Sequence, residues 1–172
     1  MKYIITIILF LLLTTVDGFS QTVNQLSRSK FENITINSVT IGEIMKTNGD
    51  ASKMPQTLGK PQNIRKQRSN KAPASTHIDY DGFSIGFSEL LNAKGNLSRI
   101  EVSKPDVLLN IAGDEFYVGK DIGKLLNKYD VNDQASGGRS LVYSPENDST
   151  TYLSISFDDK NVVTKIVYFV LT

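Results

Sequence analysis

Two stretches of strict alternation constrain this chain more than anything else in it. Phe83, Ile85 and Phe87 alternate with Ser84, Gly86 and Ser88, and Leu153, Ile155 and Phe157 alternate with Tyr152, Ser154 and Ser156. Successive side chains of a strand point to opposite faces, so each stretch needs one face in a core and the other facing away from it. Each is followed by a second extended run. The first is Leu97 to Val102, holding Arg99-Ile100, and the second is Val162 to Leu171, holding Lys165-Ile166. A strand, a turn and a returning strand occur twice.

The rest of the chain adds short elements. Ile34 and Ile36, then Val39 and Ile41, flank Asn37-Ser38 as a hairpin does. Thr40-Ile41-Gly42-Glu43 has the spacing of a capping box and predicts a helix start. Pro55 divides the helical stretch after that start into two short helices, the second closed by Gly59 after Leu58. Residues 60–76 carry Lys60, Arg65, Lys66, Arg68 and Lys71 with no acid between Asp50 and Asp79, and they predict a basic loop. That loop reads either as a contact surface for an acidic partner or as the commoner solvated charge run. Ile122, Leu125, Leu126 and Tyr129 fall at i, i+3, i+4 and i+7, which predicts a helix opened by Gly119.

Self-similarity organises these pieces. Ile34, Val39, Ile41 and Gly42 match Ile111, Phe116, Val118 and Gly119 at an offset of 77. Phe83, Ile85 and Phe87 match Leu153, Ile155 and Phe157 at 70, and Arg99-Ile100 match Lys165-Ile166 at 66. The reading is an α+β fold of two tandem helix-plus-antiparallel-sheet repeats, sharing one sheet with helices packed on one face. Its divisions are a signal peptide at 1–20, a flexible leader at 21–30, one repeat at 31–104 and a second at 105–172, with Pro105 marking the boundary.

Val-Thr-Ile-Gly at 39–42, Leu-Gly-Lys-Pro at 58–61 and Phe-Tyr-Val-Gly at 116–119 give the chain a resemblance to the beta-lactamase inhibitory protein family. Small lipoproteins of outer-membrane protein assembly share that fold. The resemblance implies a tandem of two modules whose concave sheet face grips another protein. The second copy departs from it, with Asn127-Lys128-Tyr129-Asp130 where Leu-Gly-x-Pro would stand, and the lipoprotein cysteine is missing.

Compartment is read from the first residues. Lys2, the apolar run Ile4 to Leu13 and the small residues Gly18 and Ser20 have the form of a secretory signal, with cleavage expected after Ser20. The apolar run is shorter than the roughly 20 residues of a spanning helix. With no cysteine there is no lipid anchor, disulfide or thiolate chemistry, so the expectation is a periplasmic or secreted chain with no stable membrane anchor. Losing residues 1–20 removes Lys2 and Asp17 together and leaves the formal charge at +1, which gives no general attraction to nucleic acid.

No catalytic, cofactor or metal constellation is read. Gly82-Phe83-Ser84-Ile85-Gly86 matches the G-x-S-x-G nucleophile elbow literally, but the alternation runs straight through Ser84 and the single histidine, His77, precedes it. Asp79 and Asp81 flank a turn at Gly82, where aspartate is common. Candidate partner-binding residues are Arg65, Lys66 and Arg68 in the basic stretch, with Ser84, Arg99, Glu101, Tyr152, Ser154, Ser156 and Lys165 on the faces away from the core. Hydroxyls around an aromatic with charges of both signs suit a protein contact, and equally an ordinary solvent face. The expected role is a non-enzymatic binder of another protein, an inhibitor or immunity protein that occludes an enzyme or toxin. The alternative is a structural or assembly factor of the cell envelope. A hydrolase using Ser84 is the third reading, and Ser84→Ala would abolish it. Oligomeric state is not legible.

Overall fold

The computed structural model describes residues 22–69, 72–89, 96–133 and 138–171. In chain order these form β1 (Asn24–Leu26), α1 (Arg28–Glu32), β2 (Thr35–Ile36), β3 (Val39–Thr40) and α2 (Ile41–Lys46). Then come β4 (Asn63–Ser69), β5 (Ala72–Asp79), β6 (Phe83–Ser88), β7 (Asn96–Val102), β8 (Leu109–Ile111) and β9 (Asp114–Phe116). β10 (Val131–Asp133), β11 (Arg139–Pro145), β12 (Thr151–Phe157) and β13 (Val163–Val170) complete the order. The expected signal segment and its cleavage point lie outside the described residues. So does Lys71 of the basic stretch. No helix among the described residues is long and apolar enough to cross a membrane.

Both alternating stretches are strands, β6 and β12, and their apolar sides build the core. Ile78, Phe83, Ile85, Phe87, Ile100, Leu141, Leu153, Ile155, Phe157, Ile166 and Tyr168 belong to one buried cluster. The large sheet has nine strands, in the order β1-β11-β12-β13-β7-β6-β5-β4, with β10 also on β11. β4 to β7 run inward in chain order from one edge, and β10 to β13 run inward from the other. The two sets meet where β13 pairs antiparallel with β7, Tyr168 opposite Ile100. Ile85 faces Ile100 across β6 and β7, and Ile155 faces Ile166 across β12 and β13. The register then shifts at matching places, between Gly86 and Phe87 and between Ser156 and Phe157. A second sheet of four short strands, β3-β2-β8-β9, sends Ile36, Val39, Leu109, Ile111 and Phe116 into the same cluster.

The expected fold class is corrected by this architecture. The protein is mostly strand, 48% against 15% helical, and its sheets are a large mixed one and a small one. β1 runs parallel to β11, so the large sheet is not wholly antiparallel. The two α-helices of the described residues have five and six residues and form no layer on one face. The helix expected from Gly119 is a chain of tight turns ending in one 3-10 turn at Leu126–Lys128. Leu125 N–H bonds to the Ile122 carbonyl and Lys128 N–H to that of Leu125, while Ile122 N–H is taken by Asn161. Asp121 accepts from the Gly123 N–H at 2.8 Å, a local bond that competes with helix. Ile122 is still buried, so the apolar spacing marked contact with the core and not helical backbone.

Two further corrections concern polar segments. The expected flexible leader, 21–30, contains β1 and the start of α1. β1 is held by Asn24, whose side chain donates to the Asp130 and Val142 carbonyls and accepts from the Asp130 N–H. The expected basic loop is instead the hairpin β4–β5, the edge of the large sheet, with Arg65 opposite His77 and Lys66 opposite Thr76. An edge strand wet on both sides shows no alternation, and its cations are a common guard against stray pairing.

The first hairpin and the capping box stand as read, while the second short helix is a single 3-10 turn. Asn37 and Ser38, both with positive φ, turn the β2–β3 hairpin, and Ala112 and Gly113 do the same for β8–β9. These turns lie 75 residues apart, so the match drawn at 77 is two residues out, a shift that keeps side chains on the same face. Thr40 and Glu43 close a full capping box on α2, and Gly59, at φ 85, follows the short turn Gln56–Leu58.

Candidate functional site

The side of the large sheet away from the core carries an extended field of polar side chains. Strand parity places them. Facing residues run in rows across the sheet: Asp79, Ser84, Glu101, Val167, Ser154 and Val142 in one, and His77, Gly86, Arg99, Phe169 and Tyr152 in the next. Ser140, Ser156 and Lys165 begin a third. Seven of the expected contact residues therefore share this face: Ser84, Arg99, Glu101, Tyr152, Ser154, Ser156 and Lys165. Arg65, opposite His77, joins them at the edge. Lys66 falls on the other side of β4, and Arg68 sits where the register skips between Gln67 and Ser69. These two line a separate hollow with Asn48, Asp50 and Glu89, so the structure does not bring them to the same face.

The centre of the face is an ion cluster. Arg99 donates to Glu101 at 2.8 Å and Lys165 lies 3.0 Å from its other oxygen, which leaves one net positive charge. These hydrogen bonds, from Arg99 first and then Lys165, hold the Glu101 carboxyl below its usual range against a smaller effect of burial. Beside the cluster, Phe169 and Tyr152 stack with ring centres 5.6 Å apart and planes 27° apart. The hydroxyls of Ser84, Ser154 and Ser156 have no hydrogen-bond partner among the described residues. The face thus offers fixed charge, a rigid aromatic pair and free donors on a stiff sheet.

Ser84 lacks the setting of a nucleophile elbow. Ser84 is the second residue of β6, laddered between Asp79 and Glu101, with the turn at Gly82 and not at the serine. His77 is opposite Gly86, where a Cβ would meet its ring at 3.3 Å, so the glycine makes room for the histidine. Asp79 is held by the Arg65 guanidinium through two bonds of 3.0 and 3.2 Å, and no hydrogen bond joins it to His77 among the described residues. Asp81 is bound to Lys104, whose ammonium holds its carboxyl below the usual range. Among the described residues no cluster of three or more potential ligands could hold a metal.

No family model, curated protein or solved structure matches this chain.

Sequence reasoning missed Val167 and Phe169. Both share parity with Lys165 on β13 and could have been read from it. It also missed Gln25, because nothing in a polar segment marks a strand held by side-chain bonds.

Proposed function

We propose that this chain is an exported, non-enzymatic binding protein and that the open face of its large sheet grips another protein. The observation that carries this reading is the shared placement of the Arg99–Glu101–Lys165 cluster, the Tyr152–Phe169 stack and the free serine hydroxyls on one stiff surface. Tyrosine and arginine are the commonest anchors of protein contacts, and a rigid surface loses little entropy when it binds. Strand pairing holds these groups in place, as contact residues on loops would not be held. The partner is an enzyme, a toxin or a component of the cell envelope. Its identity chooses between inhibition and an assembly role.

The test is capture from envelope extract of the protein's own cells by a chain tagged after its last residue. Three forms are compared: the native chain, the double variant Arg99→Ala/Tyr152→Ala, and Lys66→Ala on the opposite side of the sheet. The expected result is one stoichiometric partner held by the native chain and by Lys66→Ala, and lost by the double variant. Losing two anchors of about 2 kcal/mol each weakens binding by well over a hundredfold if they add. Retention of the same proteins by all three forms, or capture of none by any, overturns the proposal.

A further inference from the structure

At one end of the same face is a hollow of about 460 Å³, within the range of roughly 300–1,000 Å³ typical of ligand clefts. Its lining includes Gln25, Ser144, Asn147, Asp148, Ser149 and Tyr152. The sheet order explains why it exists. Tyr152 on β12 has Phe169 stacked on its β13 side, and its hydroxyl donates to the Ser149 carbonyl at 2.8 Å, so the ring is held at both its face and its tip. On its β11 side comes Ser144, next after the residue that faces Leu153, and beyond that Gln25, paired with Ser144. Small and medium side chains beside a fixed aromatic leave a space walled by that ring. The turn Glu146–Ser149 closes one side, with Asn147 in the left-handed region at φ 60.

The chemistry of the lining narrows the ligand. Its single charged group is already engaged. One oxygen of Asp148 accepts from the Thr150 N–H, the Thr150 hydroxyl and the Thr151 N–H, and the other from Arg28. The groups that stay free are neutral: the side-chain amides of Gln25 and Asn147 and the hydroxyls of Ser144 and Ser149, none with a partner among the described residues. An ionic ligand would find no counter-charge, and a wholly apolar one would strand these amides and hydroxyls. A neutral ring with C–H groups on its face and hydroxyls on its rim satisfies both parts of the lining. Amides can donate and accept at once, as paired hydroxyls require, and an aromatic face covers the C–H side.

We propose that this hollow is a binding site for a neutral sugar ring, stacked on Tyr152 and bonded at its hydroxyls by Gln25, Asn147 and Ser149. The site does not depend on a protein partner for the rest of the face, and it can be measured without one.

The experiment is an amide nuclear magnetic resonance titration of the purified protein with glucose, galactose, mannose and N-acetylglucosamine in turn. Glucosamine and glucuronate serve as charged controls. At least one neutral sugar is expected to bind at millimolar concentration, the weak end of the affinity scale. The moving amides would be those of residues 25, 144, 147–149 and 152. Tyr152→Ala should weaken binding at least tenfold. Gln25→Leu, an isolated change in the lining that removes the amide from a side chain of similar bulk, should also weaken it, and it tests the site even if the tyrosine variant fails to fold. Absence of localised shifts with all four neutral sugars overturns the proposal. So does unchanged binding in Gln25→Leu, or glucuronate or glucosamine binding as well as the neutral sugars.

Discussion

Asp148 is the residue whose removal makes the sharpest physical statement about this fold. Its side chain is 12% exposed and stitches three things together: the turn after β11, the start of β12 and, through Arg28, helix α1. Burial by itself would raise its carboxyl pKa. The hydrogen bonds from Thr150 and Thr151 outweigh that burial and bring the value from 3.8 down to about 2. A carboxylate whose pKa is lower in the folded than in the unfolded chain stabilises the fold above the unfolded value, and loses that contribution as pH falls through the folded one. The window here runs from pH 3.8 down to about 2. At about 1.4 kcal/mol per unit, the ionised side chain contributes about 2 kcal/mol at neutral pH. Asp148→Asn keeps the shape and removes the charge. It should therefore lower stability by about 2 kcal/mol at pH 7, or roughly 4–8 °C in Tm for a chain of this size. The assay is urea unfolding of both forms at pH 7 and near pH 2. The gap between them should shrink by most of its value at the lower pH. A gap of equal size at both pH values, or none at pH 7, would refute the reasoning, because the stabilisation would then not come from the ionised carboxyl.

Two other outcomes rest on particular contacts. Gly82 turns the chain between β5 and β6 at φ 86, and a Cβ there would stand 2.9 Å from both Lys104 and Val107 side-chain carbons. Gly82→Ala should cost at least ~1 kcal/mol, read as a fall of a few degrees in thermal unfolding. Tyr80 stacks on Phe83 at 4.7 Å, yet its buried hydroxyl has no partner among the described residues. Tyr80→Phe keeps the stack and removes the unpaired group, so urea unfolding should show stability unchanged or raised by up to ~1 kcal/mol.

How much of this was legible depends on where each segment lies in the sheet. β6 and β12 are covered on one side only, and that leaves a pattern of period two in their residues. The same parity assigns Ser84, Glu101, Ser154 and Lys165 to a common face from sequence alone. β4 is wet on both sides, so its cations spread over both faces and read as a loop. β1 is written in asparagine and glutamine, and it is held by side-chain bonds to residues more than a hundred positions away, which no local pattern can carry. The turns from Gly119 to Tyr129 imitate a helix, because a run of i→i+3 turns packed on a core needs nearly the same apolar spacing as a helical stripe. The hollow beside Tyr152 draws on three strands and a turn, and only the strand order shows that they meet.

That strand order also sets a sequence of events for the chain as it is made. β13 is synthesised after every other strand of the large sheet, yet it lies in the middle of that sheet between β12 and β7. Until about residue 170 has emerged, β4 to β7 form a sheet with β7 as a bare edge, and β10 to β12 have nothing to join them to it. The apolar sides of Ile100 and Val102 then have no neighbour across that edge. Contacts so distant in sequence are closed slowly, and open edges invite pairing with other chains. Until β13 arrives the edge of β7 stays open to pairing with other copies, and loss of β13 would split the sheet in two instead of trimming its margin.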